Sequence, residues 1–187
     1  ETNFLKYIGM LNNINLQALQ QYAALITEKP QEAIASYGIN AIWKGGVVTE
    51  INTLNQKVGS KEVVKNFKFN IGEPEELLGN NAYPTPQDYL LGGMAGCMMV
   101  GFVILASDKG IALDSVELKI IGDLNLRGML ELDVNASVGF EELQFRFDVK
   151  GSGSQEDYDE IVKHVQKISP NYRTMSDPVK IGVNKSI

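Results

Sequence analysis

The sequence predicts an α+β fold built on antiparallel sheet, and three observations predict it. Strand-like stretches come in consecutive runs and do not alternate strictly with helices. Leu143, Phe145, Phe147 and Val149 alternate with Gln144, Arg146, Asp148 and Lys150, giving one dry and one wet face. Two helical segments carry their own start and stop signals.

Taken in order, residues 15–28 place Leu16, Leu19, Tyr22, Ala23 and Ile26 on one helical face. Pro30 ends that helix and opens a short turn that runs out near Gly38. Ala41–Trp43 and Val47–Ile51 read as strands joined at Gly45-Gly46, a hairpin signal. Residues 62–71 read as one further strand, and residues 72–86 as a proline-rich loop. A long helix follows. Residues 115–121, 129–138 and 142–150 then read as three antiparallel strands. Ser154 and Asp157 form a capping box for a second helix, with Tyr158, Ile161, Val162, Val165 and Ile168 inward. Residues 179–183 read as a last strand.

The length of 187 residues suits one domain, and the expected division is a helical extension over 1–38 and a main domain over 39–187. The net charge of -6 argues against nucleic acid or an anionic membrane as partner. One cysteine excludes an intramolecular disulfide and fits a reducing cytoplasm; with a single histidine, it leaves no Cys/His zinc site. Residues 1–30 show no signal-peptide pattern. No metal, cofactor or nucleotide motif is present, and Glu73, Glu75 and Glu76 read as a solvated acidic loop. His164 is expected at a solvated helix edge, Arg146 on the wet face of its strand, and Trp43 in a strand core.

The lone cysteine, Cys97, lies in an uncharged run from Tyr89 to Ala106. Thr85 is a good N-cap, Pro86 fits the first helical position, Asp88 completes a capping box, and Gly110 is a stop signal. A run this long touches the transmembrane threshold. Four glycines dilute it and its surroundings are amphipathic, so the expectation is a buried central helix, apolar all round. Gly92/Gly96 and Gly93/Cys97/Gly101 recur at four-residue spacing and favour close helix packing, within the chain or across a subunit boundary. By physics alone Cys97 is either a small buried hydrophobe or a reactive thiol served by a partner from elsewhere.

Several stretches together resemble the OsmC/Ohr (osmotically inducible protein/organic hydroperoxide resistance) family. They are Glu73-Pro74, Leu78-Gly79-Asn80, Pro84 to Leu91 and the small-residue run into Cys97, then Lys109 to Leu118. Trp43 to Gly46 resembles the family's early hairpin, and Ser169-Pro170 to Pro178-Val179 its last loop and strand. The resemblance implies an intertwined homodimer in which antiparallel sheets wrap two central helices and active sites form between subunits. It implies a thiol peroxidase that reduces organic hydroperoxides, with Cys97 at the peroxidatic position. Residue by residue, three family features are missing. Ser169 stands at the second-cysteine position, Gln87 at the helix-start glutamate position, and Lys44 is the only cation in the hairpin where an arginine is expected. Of the three arginines, Arg127, Arg146 and Arg173, none matches that hairpin position.

Two functions follow. One is a single-cysteine thiol peroxidase in oxidative stress response, recycled by an external thiol reductant. The other is a catalytically degenerate relative that binds a small hydrophobic molecule at the dimer interface, with Met94, Met98 and Met99 as adaptable lining. Neither involves nucleic acid, membrane or a cofactor.

Overall fold

The computed structural model of the chain describes residues 9–182. They form ten strands and five α-helices, with every sheet pairing antiparallel. This is the expected α+β class. The described residues divide into two compact units, one of Gly9 and Asn15–Gly92, the other of Met10–Ile14 and residues 93–182.

The described residues open with a hairpin of β1 (Met10–Leu11) and β2 (Ile14–Asn15). Asn12 and Asn13 hold φ of 51° and 61° at its turn, a left-handed geometry that asparagine tolerates better than most residues. In the first unit, Asn15 caps α1 (Leu16–Glu28) by accepting the Ala18 amide proton at 3.1 Å. Tyr22 Oη donates to the Glu32 carbonyl in the 3-10 turn Pro30–Ala33. Two three-stranded sheets follow, ordered β3-β6-β7 (Ala35–Ser36, Gln56–Val58, Lys61–Val63) and β4-β5-β8 (Ile39–Trp43, Thr49–Thr53, Lys68–Ile71).

Residues 62–71 are thus not one strand. β7 pairs with β6 in one sheet and β8 with β5 in the other, and the chain changes partner between them. Side chains make the crossing possible: Lys65 N donates to Asn55 Oδ1, and Phe67 N to Thr53 Oγ1. Trp43 is 74% exposed, not core. It ends an edge strand and folds its Nε1 onto the Gly46 carbonyl at 2.9 Å.

Helix α2 (Pro86–Asp108) starts in the first unit and continues into the second. Its start follows the sequence signals: Asp88 N donates to Thr85 Oγ1, and Thr85 N to Asp88 Oδ2. Tyr89 stacks on Phe69 with ring centroids 4.7 Å apart. Gly110, at φ 74°, ends the helix; its amide donates to the Ser107 carbonyl.

In the second unit, Met94, Met98, Phe102, Leu105 and Ala106 of α2 form a buried stripe. The dry face of β9 (Leu113–Ile121) and β10 (Gln144–Gly151) packs against it, with Phe102 stacked on Phe147 at 4.8 Å. Tyr158, Ile161 and Val165 of α4 (Gln155–Ile168) complete this core. The capping box of Ser154 and Asp157 is present, whereas Ile168 is 37% exposed. Helix α2 is buried along one stripe rather than all round: Leu90 and Val100 are 49% and 60% exposed, and a side chain on Gly92 or Gly96 would meet nothing within 4 Å. By length and composition α2 would also suit a membrane span.

Two further expected strands do not form. Residues 129–138 begin with the end of a short helix, α3 (Leu126–Met129), and continue as turns. Their amides are spent locally, Leu130 N on the Leu126 carbonyl, Leu132 N on that of Arg127 and Ala136 N on that of Asp133, so no ladder is left to build. Residues 179–182 form no strand either, and Val183 lies outside the described residues. The segment expected as a late loop holds a helix, α5 (Pro170–Ser176).

Candidate active site

Cys97 lies in mid-helix on α2 and is half-buried. Residues four apart share a helix face, so Gly93, Cys97 and Gly101 form one stripe. That stripe meets α4 and α5 on both sides of the thiol. A methyl group on Gly101 would stand 3.6 Å from a Val165 methyl carbon. One turn before Cys97, Asn171 Nδ2 donates to the Gly93 carbonyl at 2.8 Å. The α4–α5 junction, where Ser169 sits, therefore runs along the cysteine's side of the helix.

Ser169 is 2% exposed and serves both helices. Its amide closes α4 on the Val165 carbonyl at 2.8 Å, and its Oγ accepts the Tyr172 amide proton at 3.4 Å to start α5. Pro170 fills the first position of α5, where its missing N–H costs nothing. Tyr172 rests edge-on against Phe145 with centroids 6.1 Å apart, which docks α5 on β10.

Gln87 is placed differently. At 1.5 Å per residue it stands about 15 Å of helix rise before Cys97, beyond the reach of its side chain within one helix. Asp88 is committed to the cap. Lys44 lies 3.9 Å from Glu50, whose carboxylate also pairs with Lys68 at 3.2 Å. The Glu50 carboxyl is held below its ordinary range, first by the Asn52 amide and then by the Lys68 ammonium. The arginines are paired as well: Arg127 with Asp133, Arg146 with Asp148 on the wet face as expected, and Arg173 with Asp177. His164 is exposed, as expected. Met94 and Met98 are core residues at 3% and 0% exposure, and Met99 is half-buried.

Reading the sequence for motifs misses Asn171. The signal that points to it is Ser169-Pro170, an N-cap followed by a first-position proline, which announces a helix and not a loop. Elsewhere a cavity of about 440 Å³ opens among residues 123–141, lined by Asp123, Arg127, Asp133 and Glu141. It is polar and contains none of the expected site residues. No cluster of His, Cys, Asp or Glu suited to a metal ion occurs among the described residues.

The family described as OsmC-like protein matches residues 79–184, which takes in the cysteine helix, β9, β10, α4 and α5. No curated protein sequence matches the chain. Among solved structures, an OsmC-like protein from Mycoplasma pneumoniae is similar with a TM-score of 0.58 at 16% identity, covering 75% of this chain and 87% of that one. An OsmC-like protein of unknown function from Vibrio cholerae gives 0.56 at 11% identity, covering 75% and 94%. An organic hydroperoxide resistance protein OsmC from Legionella pneumophila gives 0.51 at 17% identity, covering 75% and 88%. At such identities these likenesses speak for the fold. With the family match spanning more than half of the sequence and taking in the helix of Cys97, the chain belongs to the OsmC-like protein family.

Proposed function

We propose that the protein is a single-cysteine thiol peroxidase acting on organic hydroperoxides as a homodimer. The observation that carries this reading is the docking of the Ser169 junction along the Gly93–Cys97–Gly101 stripe, with contacts one turn to either side of the thiol. The cysteine is half-buried and not sealed in the core, so a small hydroperoxide has an approach. The Cys97 thiolate attacks the terminal peroxide oxygen. An S–O bond forms, the O–O bond breaks, and the alcohol leaves after taking up a proton. One external thiol then condenses with the sulfenic acid to give a mixed disulfide and water. A second external thiol releases Cys97 and leaves as the oxidised disulfide. Gln87, too far along its own helix, would hydrogen-bond near the sulfur only from a second copy, across the exposed apolar face of α2. The 39–187 region is the catalytic domain in this reading, and residues 1–38 are an extension to it.

The test is hydroperoxide consumption with several thiol reductants, run beside Cys97→Ser. Consumption by the parent chain and none by the variant supports the enzyme. No consumption with any reductant sinks it.

One observation favours a second reading, a catalytically degenerate relative that binds a small hydrophobic ligand at the dimer interface. Ser169 is fully engaged as a buried helix cap and has no redox chemistry. Apolar ligands that raise the melting temperature while Cys97 stays unmodified by peroxide would support it.

A further inference from the structure

Hydroxyl side chains inside the helices of this protein turn back onto the carbonyl four residues earlier. Thr27 Oγ1 donates to the Ala23 carbonyl at 2.8 Å, Thr174 Oγ1 to that of Pro170 at 2.8 Å, and Ser107 Oγ to that of Val103 at 2.7 Å. This is the usual resort of a short polar side chain in a helix. For Cys97 the equivalent acceptor is the Gly93 carbonyl. A carbonyl oxygen has two lone pairs. In α2 one of them takes the backbone N–H of Cys97. The other takes Asn171 Nδ2 at 2.8 Å. Asn171 is held in place for this, since α5 is capped by Ser169 and docked by Tyr172 on Phe145.

We infer that Asn171 is a positioning residue for Cys97: by filling the Gly93 oxygen it denies the thiol proton its backbone acceptor and keeps the sulfur available as a nucleophile. The inference rests on the reading of Cys97 as the reacting group. A thiol bonded to the Gly93 carbonyl would have its proton held, and its reactions would slow. Ser107 illustrates the opposite case, because its hydroxyl does turn back onto its Val103 acceptor.

Because these 187 residues hold one cysteine, infrared spectroscopy of the chain reads a single S–H stretch, identified by its loss in Cys97→Ser. The wild-type band is expected at the frequency of a thiol free of a carbonyl acceptor. Asn171→Ala, and the similarly shaped Asn171→Asp, which offers no donor, should move it to lower frequency. Asn171→Ala should slow iodoacetamide alkylation at neutral pH by about threefold, the scale of a weak S–H···O bond, whereas Asn171→Asp is read by the band alone because its carboxylate slows the thiolate in any case. A wild-type band already at the carbonyl-bonded frequency overturns the inference, and that measurement needs no variant to fold. So do folded variants that keep the wild-type band and alkylation rate. Neither readout uses a peroxide, so a chain inert to hydroperoxides would remove the enzyme reading and leave this one to be judged by the thiol's own band.

Discussion

Ser169 has two helix ends to satisfy, and that fixes what its replacement should do. Its side chain caps α5 from a fully buried position beside the cysteine stripe. Ser169→Cys exchanges an oxygen for a larger, poorer acceptor, so the variant should lose about 1 kcal/mol of stability in urea unfolding. Under hydroperoxide it should also form a disulfide between Cys97 and the introduced thiol, visible as a loss of two hydrogen atoms by mass spectrometry, while the peroxide is reduced to alcohol and water. A stable Ser169→Cys protein that stays dithiol under oxidant would argue against the closeness of the two positions. Thr85 and Asp88 are a second residue-scale case. They bond reciprocally at the start of α2, and Thr85→Ala should cost about 1 kcal/mol without altering the thiol.

Within the second unit the end of α2 and the start of α4 are tied by Lys109, which bonds Glu160 at 2.7 Å and Asp157 at 3.2 Å. The Asp157 carboxyl is held below its ordinary value, first by the Ser154 amide and hydroxyl and then by Lys109. A carboxyl depressed in the folded state stabilises above its unfolded value and loses that contribution as pH falls through the folded one. The Lys109 ammonium is raised above its ordinary value, first by Glu160 and also by Asp157, so its contribution is full below the unfolded value and fades as pH rises through the higher folded one. The tie is therefore intact between about pH 4 and pH 10. Chemical denaturation of Asp157→Asn should show a smaller loss than the parent as pH falls through the acidic range from about 5 to about 3; equal slopes would show that the Asp157 carboxylate, in cap and tie together, contributes nothing. The β1–β2 hairpin offers a stronger anchor. Asn12 donates to Ser107 Oγ and the Ile111 carbonyl, both at 2.9 Å, and accepts the Leu113 amide proton at 2.8 Å. Asn12→Ala should cost about 2 kcal/mol by thermal melting, since three partners are left unmet and the positive φ becomes strained.

For the whole molecule, the exposed side of α2 decides between a single chain and a pair. Gly92 and Gly96 face open space in the chain, and Val100 is 60% exposed on the same stripe. In a lone chain, Gly96→Leu adds helix propensity and should stabilise by about 1 kcal/mol. In the proposed homodimer the same change blocks close helix approach. Sedimentation should then find the parent dimeric and Gly96→Leu monomeric, with hydroperoxide consumption lost. A monomeric parent would remove the second-copy role of Gln87.

Local sequence was enough to set the α+β class, the ends of α2 and α4, the wet and dry faces of β10 and the position of Cys97 in its helix. Caps, periods of two or of 3.6, and turn residues act on their own neighbours, so these features can be read without the fold. Residues 62–71 and 129–138 mislead because their strand pattern is strong while the outcome depends on which partner edge is present. Trp43 misleads for the same reason, because an edge strand buries less than a central one. Of the candidate site, Cys97, Gln87 and Ser169 are legible from motif resemblance. Folding in three dimensions brought Asn171 of α5 to the Gly93 carbonyl of α2 and Val165 of α4 to Gly101. Such meetings join residues distant in the chain, and their geometry is fixed by packing across the core rather than by any local rule.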